Sequence, residues 1–587
     1  MQIIDKLNSL EDLKGFTCEE LEILAGEMRS LIIKKVNTIG GHLAPNLGFV
    51  EPTIALHKVF NSPVDKFVFD VSHQCYPHKI LTGRKEYYLN PEKYLEISGY
   101  TNPEESPHDT FVIGHTSTSV SLACGIAKAR DLKGENFNVV AIIGDGSLSG
   151  GEAYEGLNNA AVLGTNFIVI VNDNEMSIAE NQGGLYENLR LLRETEGKAE
   201  LNFFKSLGFE YYYVSDGNNL SQMIEALEKV KDTNCPTVVH IKTQKGKGLK
   251  AAENNKELCH WIVPNLLDEN NEIAQVQNTS CPETYTTITN DFLLKKINQD
   301  KTVLAINPAT PGAVGLTPDI REKFGVNFVD TGIAEEHAVA YASAIAKNGG
   351  NPYLLIISSF LQRTYDQLSQ DLALNNSPMT ILVNWGAIQA NDMTHLGCFD
   401  IPIISNIPNI VYLAPATKEE YLKMLEFSYT NKKFPLAIRV PFMNPVTSGK
   451  SDDTDYSILN KFKVTQKGSD VALIGVGSFY HLALDVANAL KAEGINATVI
   501  NPLFISGLDE ELLNSLKENH KLVVTLEDGV LDGGFGQKVA SFFGNSDVKV
   551  LNYGAEKEFP DRVPLAKLYE KYRLKQEMIL SDIKEIL

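Results

Sequence analysis

The sequence has little cysteine and no long hydrophobic run. Its 7 cysteines, among 587 residues, are scattered without a C-x-x-C pair, which argues against a disulfide framework and against a zinc site. No stretch approaches about 18 consecutive apolar residues, so no transmembrane helix is expected. The acidic amino-terminal segment does not resemble a signal peptide. These absences predict reduced thiols in a cytoplasmic protein without a membrane partner.

Positive charge is also scarce. Lys and Arg total 53 against 74 Asp and Glu, which gives a formal net charge of −21. Such a field repels nucleic-acid backbones and anionic lipid surfaces, although a local basic pocket can still hold one small anion. The 43% hydrophobic and 22% charged residues are typical of globular proteins, and the length predicts roughly three to five domains. Nucleic-acid binding, disorder and a fibrous structure are therefore disfavoured.

Short apolar runs alternate with longer helical patterns along most of the chain. This alternation predicts α/β domains with mainly parallel sheets. The predicted buried strands lie at 139–144, 167–173, 237–243, 302–307, 353–358, 379–385, 471–477 and 521–528. Polar segments at 264–290 and 444–459 read as linkers, and we expect three domains, at 1–270, 285–445 and 460–587. The charged segment 180–200 is interpreted as a mobile helical connector outside the core.

One βαβ unit carries the most informative motif. A strand ends in a Gly-Asp-Gly turn centred on Asp145, and the next strand ends in an Asn-Asp-Asn segment that closes at Asn174. Ligands bind open α/β sheets outside the carboxyl ends of their strands. Two oxygen ligands in one crevice suit a hard divalent cation that bridges to phosphates. A lone Gly-Asp-Gly is usually only a turn, but the pair predicts a site for a diphosphate with magnesium.

Three histidines precede this motif, namely His42, His73 and His115. One histidine alone is more often structural than catalytic. Each of these lies in a Gly- or Ser-rich loop beside a predicted strand or helix, where side chains point into clefts. The trio is therefore a candidate part of an active site.

The ordered motifs resemble those of the 1-deoxy-D-xylulose-5-phosphate synthase family, which is related to transketolase. The resemblance extends over nearly the whole chain through HLAPNLG, DVSHQCYPHKILTGR, GHTSTS, GDG, NDNEMSI, HIKTQKGKG, GIAEEHAVAYA, SSFLQRTYDQL and LEDGVLDGGFG. It implies a transketolase-like fold with thiamine diphosphate and Mg²⁺ as cofactors. It also implies a cytoplasmic homodimer with links to isoprenoid and thiamine biosynthesis, and a carboxyl-terminal domain that is mainly structural.

The resemblance assigns roles to individual residues. The metal ligands would be Asp145, Asn174 and the backbone carbonyl of Met176. The catalytic residues would be Glu335, His42, His73, His115 and His395. The residues around the cofactor would be His73, His115, Ser117, Asp145, Gly146, Ser147, Asn174, Met176, Lys245, Glu335, Phe360 and Arg363.

Two of these assignments concern the aminopyrimidine ring of the cofactor. Glu335 matches the carboxylate that shares a proton with the far ring nitrogen, which requires a raised pKa. Its neighbour Glu336 stands where the family commonly has Gln, and adjacent carboxylates in a strand or turn point in opposite directions, so Glu335 alone is assigned. Phe360 matches the aromatic residue that stacks on the ring, although a Phe after a strand is more often plain core.

The residues that bind the acceptor aldehyde in this family differ in this chain. The family holds the phosphate of glyceraldehyde 3-phosphate with two arginines, as suits a dianion. Counting back from Thr394 and His395 places Asn384 at the first arginine, and Phe442 stands at the second. Further departures are Asn391 at an acidic position, Ile357 at a tyrosine, and a stretch after NDNEMSIAEN that is several tens of residues shorter. Arg363 and Arg439 are near enough in sequence to substitute.

The main hypothesis is a divergent thiamine diphosphate-dependent ligase that decarboxylates pyruvate or a close α-keto acid and transfers the two-carbon unit to another aldehyde, for which an unphosphorylated aldehyde is a candidate. One alternative is a transketolase-like enzyme that takes two carbons from a ketose without CO₂ release. Another is a cofactor-binding subunit without activity. A nicotinamide dehydrogenase is disfavoured, because no G-x-G-x-x-G opens a helix after a strand.

Overall fold

The computed structural model describes residues 2–274 and 282–587. The chain forms two compact units, of which the first comprises residues 2–274 with Gly332–Ala334 and the second comprises 282–331 and 335–587. Part of the predicted linker 264–290, with Cys281, falls outside the described residues. The cysteines that are described are free thiols. Within the described part of the chain, no helix is both long and apolar enough to cross a bilayer.

A five-stranded parallel sheet forms the centre of the first unit, in the order β2-β3-β4-β6-β5, and β1 pairs antiparallel with β7. The strands are β1 Gly41–His42, β2 Lys66–Phe69, β3 Val139–Gly144, β4 Phe167–Asp173, β5 Glu210–Val214, β6 Pro236–Lys242 and β7 Trp261–Ile262. The helices are Ile3–Lys6, Leu10–Gly15, Cys18–Ile39, Ala44–Gly48, Val50–Val59, Tyr76–Lys79, Glu86–Leu89, Ser119–Lys133, Gly151–Ala160, Gly184–Glu194, Phe203–Leu207, Leu220–Val230 and Lys250–Asn254.

Alternate residues of the central strands enter different cores. In β3, Ala141 and Ile143 pack on the face covered by Ser119–Lys133 and Gly151–Ala160, while Val140 packs on the opposite face. Both faces of the sheet are covered, which is why the strands read as unbroken apolar runs rather than as alternating ones.

The segment 180–200 is part of this core, and our interpretation of it as a connector outside the core was wrong. Its helix Gly184–Glu194 buries Leu189 and Leu192 completely, in the cluster that covers one face of the sheet. The charged residues that suggested a connector alternate at helical spacing with these leucines. The segment is therefore an amphipathic helix packed on the sheet.

The second unit contains two sheets. A six-stranded parallel sheet has the order β12-β13-β11-β10-β8-β9, and a five-stranded sheet has the order β14-β16-β15-β17-β18, in which only β14 is antiparallel. The strands are β8 Val303–Asn307, β9 Phe328–Asp330, β10 Asn351–Ile357, β11 Thr380–Asn384, β12 Val411–Leu413, β13 Leu436–Arg439, β14 Lys463–Gln466, β15 Asp470–Gly475, β16 Thr498–Asn501, β17 His520–Val530 and β18 Lys549–Ala555. The helices are Tyr285–Gln299, Pro318–Phe324, Glu335–Lys347, Ser358–Leu361, Tyr365–Gln367, Asp400–Ser405, Lys418–Thr430, Phe479–Ala492, Glu510–Asn519, Phe535–Phe543, Leu565–Lys571 and Gln576–Ile586.

These two sheets share one hydrophobic core. Ile356 of β10 and Val383 of β11 belong to the same buried cluster as Ile474 of β15 and Val523 of β17. Each predicted strand is present to within a few residues, and the prediction of an α/β fold with mainly parallel sheets is confirmed. The domain boundaries 1–270, 285–445 and 460–587 stay a prediction.

Candidate functional site

The two turns of the predicted metal site lie side by side in the first unit. Strand β3 ends at Gly144 and β4 ends at Asp173. The backbone amide of Asp145 donates to the carbonyl of Asn172 at 3.0 Å. The Asp145 side chain is buried, and its Oδ2 accepts a hydrogen bond from Nδ2 of Asn181 at 2.7 Å. The structure thus brings both turns to one edge of the sheet.

The electrostatics of this edge suit a cation. Burial, together with the neighbouring Asp173 carboxylate, raises the pKa of Asp145 well above its ordinary value. Oδ1 of Asn181 is buried and has no hydrogen-bond partner among the described residues. A divalent cation would neutralise the carboxylate and would satisfy such an oxygen.

Asn174 and Met176 lie in the turn that follows β4. Both are half-buried, and the Asn174 Oδ1 accepts a hydrogen bond from the Met176 amide at 3.2 Å. Residues 2–274 and 282–587 contain no cluster of three or more His, Cys, Asp or Glu side chains arranged for a metal. A metal at this edge would therefore need the amide oxygen of Asn174 and the backbone carbonyl of Met176 as ligands beside Asp145, as the motif predicts.

Small and basic residues surround these turns. A Cβ added to Gly146 would lie 2.8 Å from Oγ of Ser177, so only glycine fits. Nζ of Lys245 donates to the Ser177 carbonyl at 2.5 Å, and burial lowers the pKa of Lys245 to about 8. Oγ of Ser117 donates to the Ser147 carbonyl at 2.8 Å. The predicted diphosphate residues are thus neighbours in the first unit.

Two of the three predicted histidines are in ring contact, and a further histidine joins them. The ring centroids of His42 and His73 are 5.0 Å apart, and His260 lies 5.6 Å from His42 and 5.2 Å from His73. His115 lies in the loop next to that of His73. The two loops are joined by a hydrogen bond in which Oγ of Ser72 donates to the Ile113 carbonyl at 2.7 Å. The histidine cluster is therefore His42, His73 and His260, with His115 in the loop next to it.

His260 was not predicted from the sequence, because it stands alone in a segment without a recognised motif. Strand pairing brings it to the site, since His42 of β1 pairs with Trp261 of β7. Burial, helped by the charge of Lys245, lowers the pKa of His260 well below the ordinary value, and its Nδ1 is buried without a partner among the described residues. His260 therefore offers a neutral imidazole to the site.

In the second unit, Glu335 begins the helix Glu335–Lys347. Its side chain is 4% exposed, and its Oε2 lies 3.6 Å from the Arg363 guanidinium and has no hydrogen-bond partner among the described residues. Burial raises the pKa of Glu335 to about 7, against the opposing pull of Arg363. Glu336 follows it in the helix, so the expectation that both lie in a strand or turn was wrong.

The aromatic ring of Phe360 packs against His395. Their centroids are 5.7 Å apart and the rings are nearly perpendicular. Oγ1 of Thr394 is 2.7 Å from Nδ1 of His395, and the Asp392 carboxylate lies 3.6 Å from the same nitrogen. Burial opposes ionisation of Asp392, but hydrogen bonds from His395 and Thr394 lower its pKa to about 2. Asp392 lies next to Asn391, the position where the family has an acid, and its role was not predicted from the sequence.

The two positions expected to carry arginines lack a cation that could bind phosphate. Asn384, the last residue of β11, is 4% exposed, and its Nδ2 donates to the Leu382 carbonyl at 3.0 Å. Phe442 is 52% exposed, and its ring centroid is 5.9 Å from that of Trp385.

The guanidinium of Arg439 is already bonded to other residues of the chain. Its Nε and Nη2 donate to the two carboxylate oxygens of Asp400 at 2.7 and 3.0 Å, and Nη2 also donates to the Asp528 carbonyl at 2.6 Å. The side chain is 4% exposed. Arg439 therefore serves a buried ion pair and does not replace a lost phosphate ligand.

Three family models match successive parts of the chain. The family model for 1-deoxy-D-xylulose-5-phosphate synthase matches residues 4–202 and 187–243. The model for the transketolase pyrimidine binding domain matches 283–445, and that for the transketolase C-terminal domain matches 460–579.

Full-length relatives carry the synthase name. The 1-deoxy-D-xylulose-5-phosphate synthase of Caldanaerobacter subterraneus subsp. tengcongensis is 37% identical over 99% of this chain and 98% of its own. That of Pelotomaculum thermopropionicum is 38% identical over 100% and 97%. Synthase 1 of Geobacter metallireducens is 39% identical over 95% of each chain. A solved transketolase from Campylobacter jejuni aligns with 100% of both chains at 16% identity and a TM-score of 0.44.

Enzymes of these families are transferases that use thiamine diphosphate with a divalent metal, typically Mg²⁺. Two features of this chain fit that cofactor. Asp145 is a buried carboxylate beside a buried amide oxygen of Asn181, and Glu335 has a buried carboxylate oxygen; among the described residues neither of these two oxygens has a hydrogen-bond partner. Since the relatives match over almost the entire length, the chain belongs to the 1-deoxy-D-xylulose-5-phosphate synthase family.

Proposed function

We propose that this enzyme transfers the two-carbon unit of decarboxylated pyruvate, or of a close α-keto acid, to an aldehyde other than glyceraldehyde 3-phosphate. We further propose Mg²⁺ as the metal, a homodimer as the working form and the cytoplasm as its location. One observation carries the acceptor proposal. The residues assigned to the cofactor are kept, whereas Asn384 and Phe442 replace two cations.

The loss of two guanidinium groups matters energetically. A hydrogen bond to a charged group contributes about 1.5 to 3 kcal/mol, and an arginine can make two of them to one phosphate. Asn384 cannot take over, because its amide is buried and bonded to its own strand. Phe442 offers an aromatic surface beside Trp385 in place of a charge. These contacts favour an acceptor whose far end is uncharged.

The position of Arg363 suits a role near the cofactor better than a role in binding an acceptor phosphate. Its guanidinium lies 3.6 Å from the Glu335 carboxylate. A phosphate dianion bound at the same guanidinium would stand close to that carboxylate, and like charges at such a distance disfavour each other. The ion pair therefore supports the assignment of Arg363 to the surroundings of the cofactor.

The remaining side chains suit the handling of protons. When bound, thiamine diphosphate supplies the electron sink for decarboxylation. With a pKa of about 7, Glu335 can either hold or release a proton near neutral pH. The rings of His42, His73 and His260 form a group in which His260 is neutral, so they can bind substrate hydroxyls and pass protons.

The test supplies the holoenzyme with pyruvate and matched aldehydes, and it measures CO₂ release. Glyceraldehyde 3-phosphate and unphosphorylated glyceraldehyde form the central pair, because they differ only in the phosphate. We expect a higher kcat/KM for unphosphorylated aldehydes. A clear preference for glyceraldehyde 3-phosphate would contradict the altered acceptor and restore the ordinary synthase activity.

The same assay separates the alternatives. Turnover of ketose donors without CO₂ would indicate transketolase-like transfer. A protein that binds the cofactor and turns over neither donor would indicate a subunit without independent activity. For the carboligase we expect CO₂ from pyruvate that depends on both thiamine diphosphate and Mg²⁺.

A further inference from the structure

The helix Gly184–Glu194 contacts both turns of the metal site through two side chains. Tyr186 lies near its beginning and Arg193 near its end. Positions seven residues apart lie on the same face of an α-helix, about 10 Å from each other along its axis. The buried Leu189 lies between them and fixes this face against the sheet core.

Tyr186 contacts the first turn. Its hydroxyl donates to the backbone carbonyls of Asp145 at 3.2 Å and of Gly146 at 3.3 Å. These carbonyls belong to the Gly-Asp-Gly turn that presents the Asp145 carboxylate. The hydroxyl therefore restrains the backbone of that turn from the side of the helix.

Arg193 contacts the second turn. Its Nη1 donates to Oδ2 of Asp173 at 2.6 Å, and its Nη2 lies 3.0 Å from Oε1 of Glu175. Asp173 is fully buried, and Nε2 of His240 also bonds its Oδ2, at 2.9 Å. The guanidinium thus joins the buried carboxylate at the end of β4 to the exposed carboxylate of Glu175 in the turn that follows.

The second turn needs such a restraint. Glu175 has a φ of +67°, which is an unfavourable backbone conformation for a residue with a side chain. It lies between Asn174 and Met176, which are the two proposed metal ligands of this turn. A change in the backbone at Glu175 would move both ligands at once.

We infer that the helix Gly184–Glu194 is a brace that holds the two metal-binding turns in register, with Tyr186 and Arg193 as its positioning residues. The inference rests on the proposed metal site at Asp145, Asn174 and Met176. The two turns come from neighbouring strands, and each must present its ligands to the same cation. One helix face bonded to both turns fixes their separation before the cation binds, which lowers the cost of assembling the site.

The test measures binding without turnover. Thiamine diphosphate is titrated by calorimetry into the full-length apo-protein at several MgCl₂ concentrations, and the thermal midpoint of each apo-protein is recorded. The variants are Tyr186→Phe, which removes only the hydroxyl group, and Arg193→Met, with Arg193→Lys as the conservative replacement. Arg190→Met is the matched control, because Arg190 lies on the same helix and its ion pairs among the described residues are with the exposed Glu187 and Glu194.

We expect Arg193→Met to weaken Mg²⁺-dependent binding at least tenfold and Tyr186→Phe severalfold, with partial recovery in Arg193→Lys and no change in Arg190→Met. A purely structural role would lower the thermal midpoint and leave affinity unchanged in the folded fraction, which would overturn the brace. If Arg193→Met does not fold, Tyr186→Phe decides, and unchanged affinity in it overturns the proposal. A wild-type protein that binds neither ligand would contradict the proposed function itself.

Discussion

The carboxylate of Glu335 lies 3.6 Å from the guanidinium of Arg363, and its Oε2 is buried without a hydrogen-bond partner among the described residues. An arginine so close would ordinarily lower the pKa of the acid. Burial is the larger effect and raises it to about 7. Glu335 is thus an acid that is half protonated near neutral pH while it remains next to a permanent cation.

Glu335 should make stability depend on pH. Its pKa in the folded protein is above the ordinary value of 4.5, so the folded state binds the proton more tightly than the unfolded state does. The corresponding stability is fully present below pH 4.5 and is lost as pH rises towards 7, by about 3 kcal/mol. Urea unfolding of the apo-protein between pH 4.5 and 8 should show a loss for wild type that is smaller by about 3 kcal/mol in Glu335→Gln. Parallel profiles would contradict the raised pKa.

Glu335→Gln should also remove most of the catalytic activity without unfolding the protein. Gln keeps the size of the side chain but cannot exchange a proton at neutral pH, and general acid–base catalysis contributes roughly 10²- to 10⁴-fold. We expect CO₂ release from pyruvate to fall at least about 100-fold while the apo-protein remains folded. Glu336→Gln is the control, since it makes the same change one residue further along the helix. Equal losses of CO₂ release in both variants would contradict the assignment of proton exchange to Glu335.

The two glycines of the Gly-Asp-Gly turn should differ in their tolerance of alanine. A Cβ on Gly146 would lie 2.8 Å from Oγ and 3.0 Å from Cα of Ser177, whereas a Cβ on Gly144 would have no atom within 4 Å. Relief of such a clash costs about 1 to 3 kcal/mol, and it would displace the loop that Lys245 holds through the Ser177 carbonyl. Gly146→Ala should weaken thiamine diphosphate binding about tenfold or more in titration calorimetry, and Gly144→Ala should not.

A single arginine should change acceptor preference. Phe442 is 52% exposed, so Phe442→Arg can be accommodated without disturbing the core. One charge-assisted contact of about 1.5 to 3 kcal/mol corresponds to a roughly 10- to 100-fold gain in kcat/KM for glyceraldehyde 3-phosphate over glyceraldehyde. Phe442→Gln is the uncharged control and should not produce the gain. Equal ratios in both variants would mean that position 442 does not contact the acceptor.

The Arg439–Asp400 ion pair should be important for stability. Both side chains are buried, and Tyr412 also bonds Asp400 through its hydroxyl. Removal of one partner leaves an unpaired buried charge, which costs about 3 to 5 kcal/mol. Arg439→Ala should therefore lower the free energy of unfolding by that amount in urea. Arg190→Ala, which breaks an exposed pair, should change it by less than about 1 kcal/mol.

The strands could be predicted because their signals are local, and so could the placement of the two turns of the proposed metal site. Strands such as β3 and β4 are covered on both faces, so each appears in the sequence as an apolar run, and polar residues that follow such runs must lie at one edge of a parallel sheet. Edge strands gave a weaker signal. The strand Glu210–Val214 is partly exposed, and its run of tyrosines was not predicted as a strand.

Residues assembled by pairing between distant segments could not be predicted. His260 joins His42 and His73 only because β7 pairs with β1, more than 200 residues apart. Asp392 contacts His395 through a turn whose geometry is not apparent from the order of the residues. The helix Gly184–Glu194 was misread for a related reason, since the contacts of Arg193 depend on where the helix packs.

The scarcity of cysteine and of positive charge, the apolar runs and the ordered motifs determined by themselves the class of fold, the family and its cofactors. The tertiary structure decided which charged side chains are available to bind a ligand and which are held in ion pairs. It placed Arg439 in a buried ion pair and Arg363 beside Glu335, although both are equally cationic in the sequence. The reason is physical, since the pKa and availability of a charged group depend on burial and on its nearest partner, and folding alone determines these.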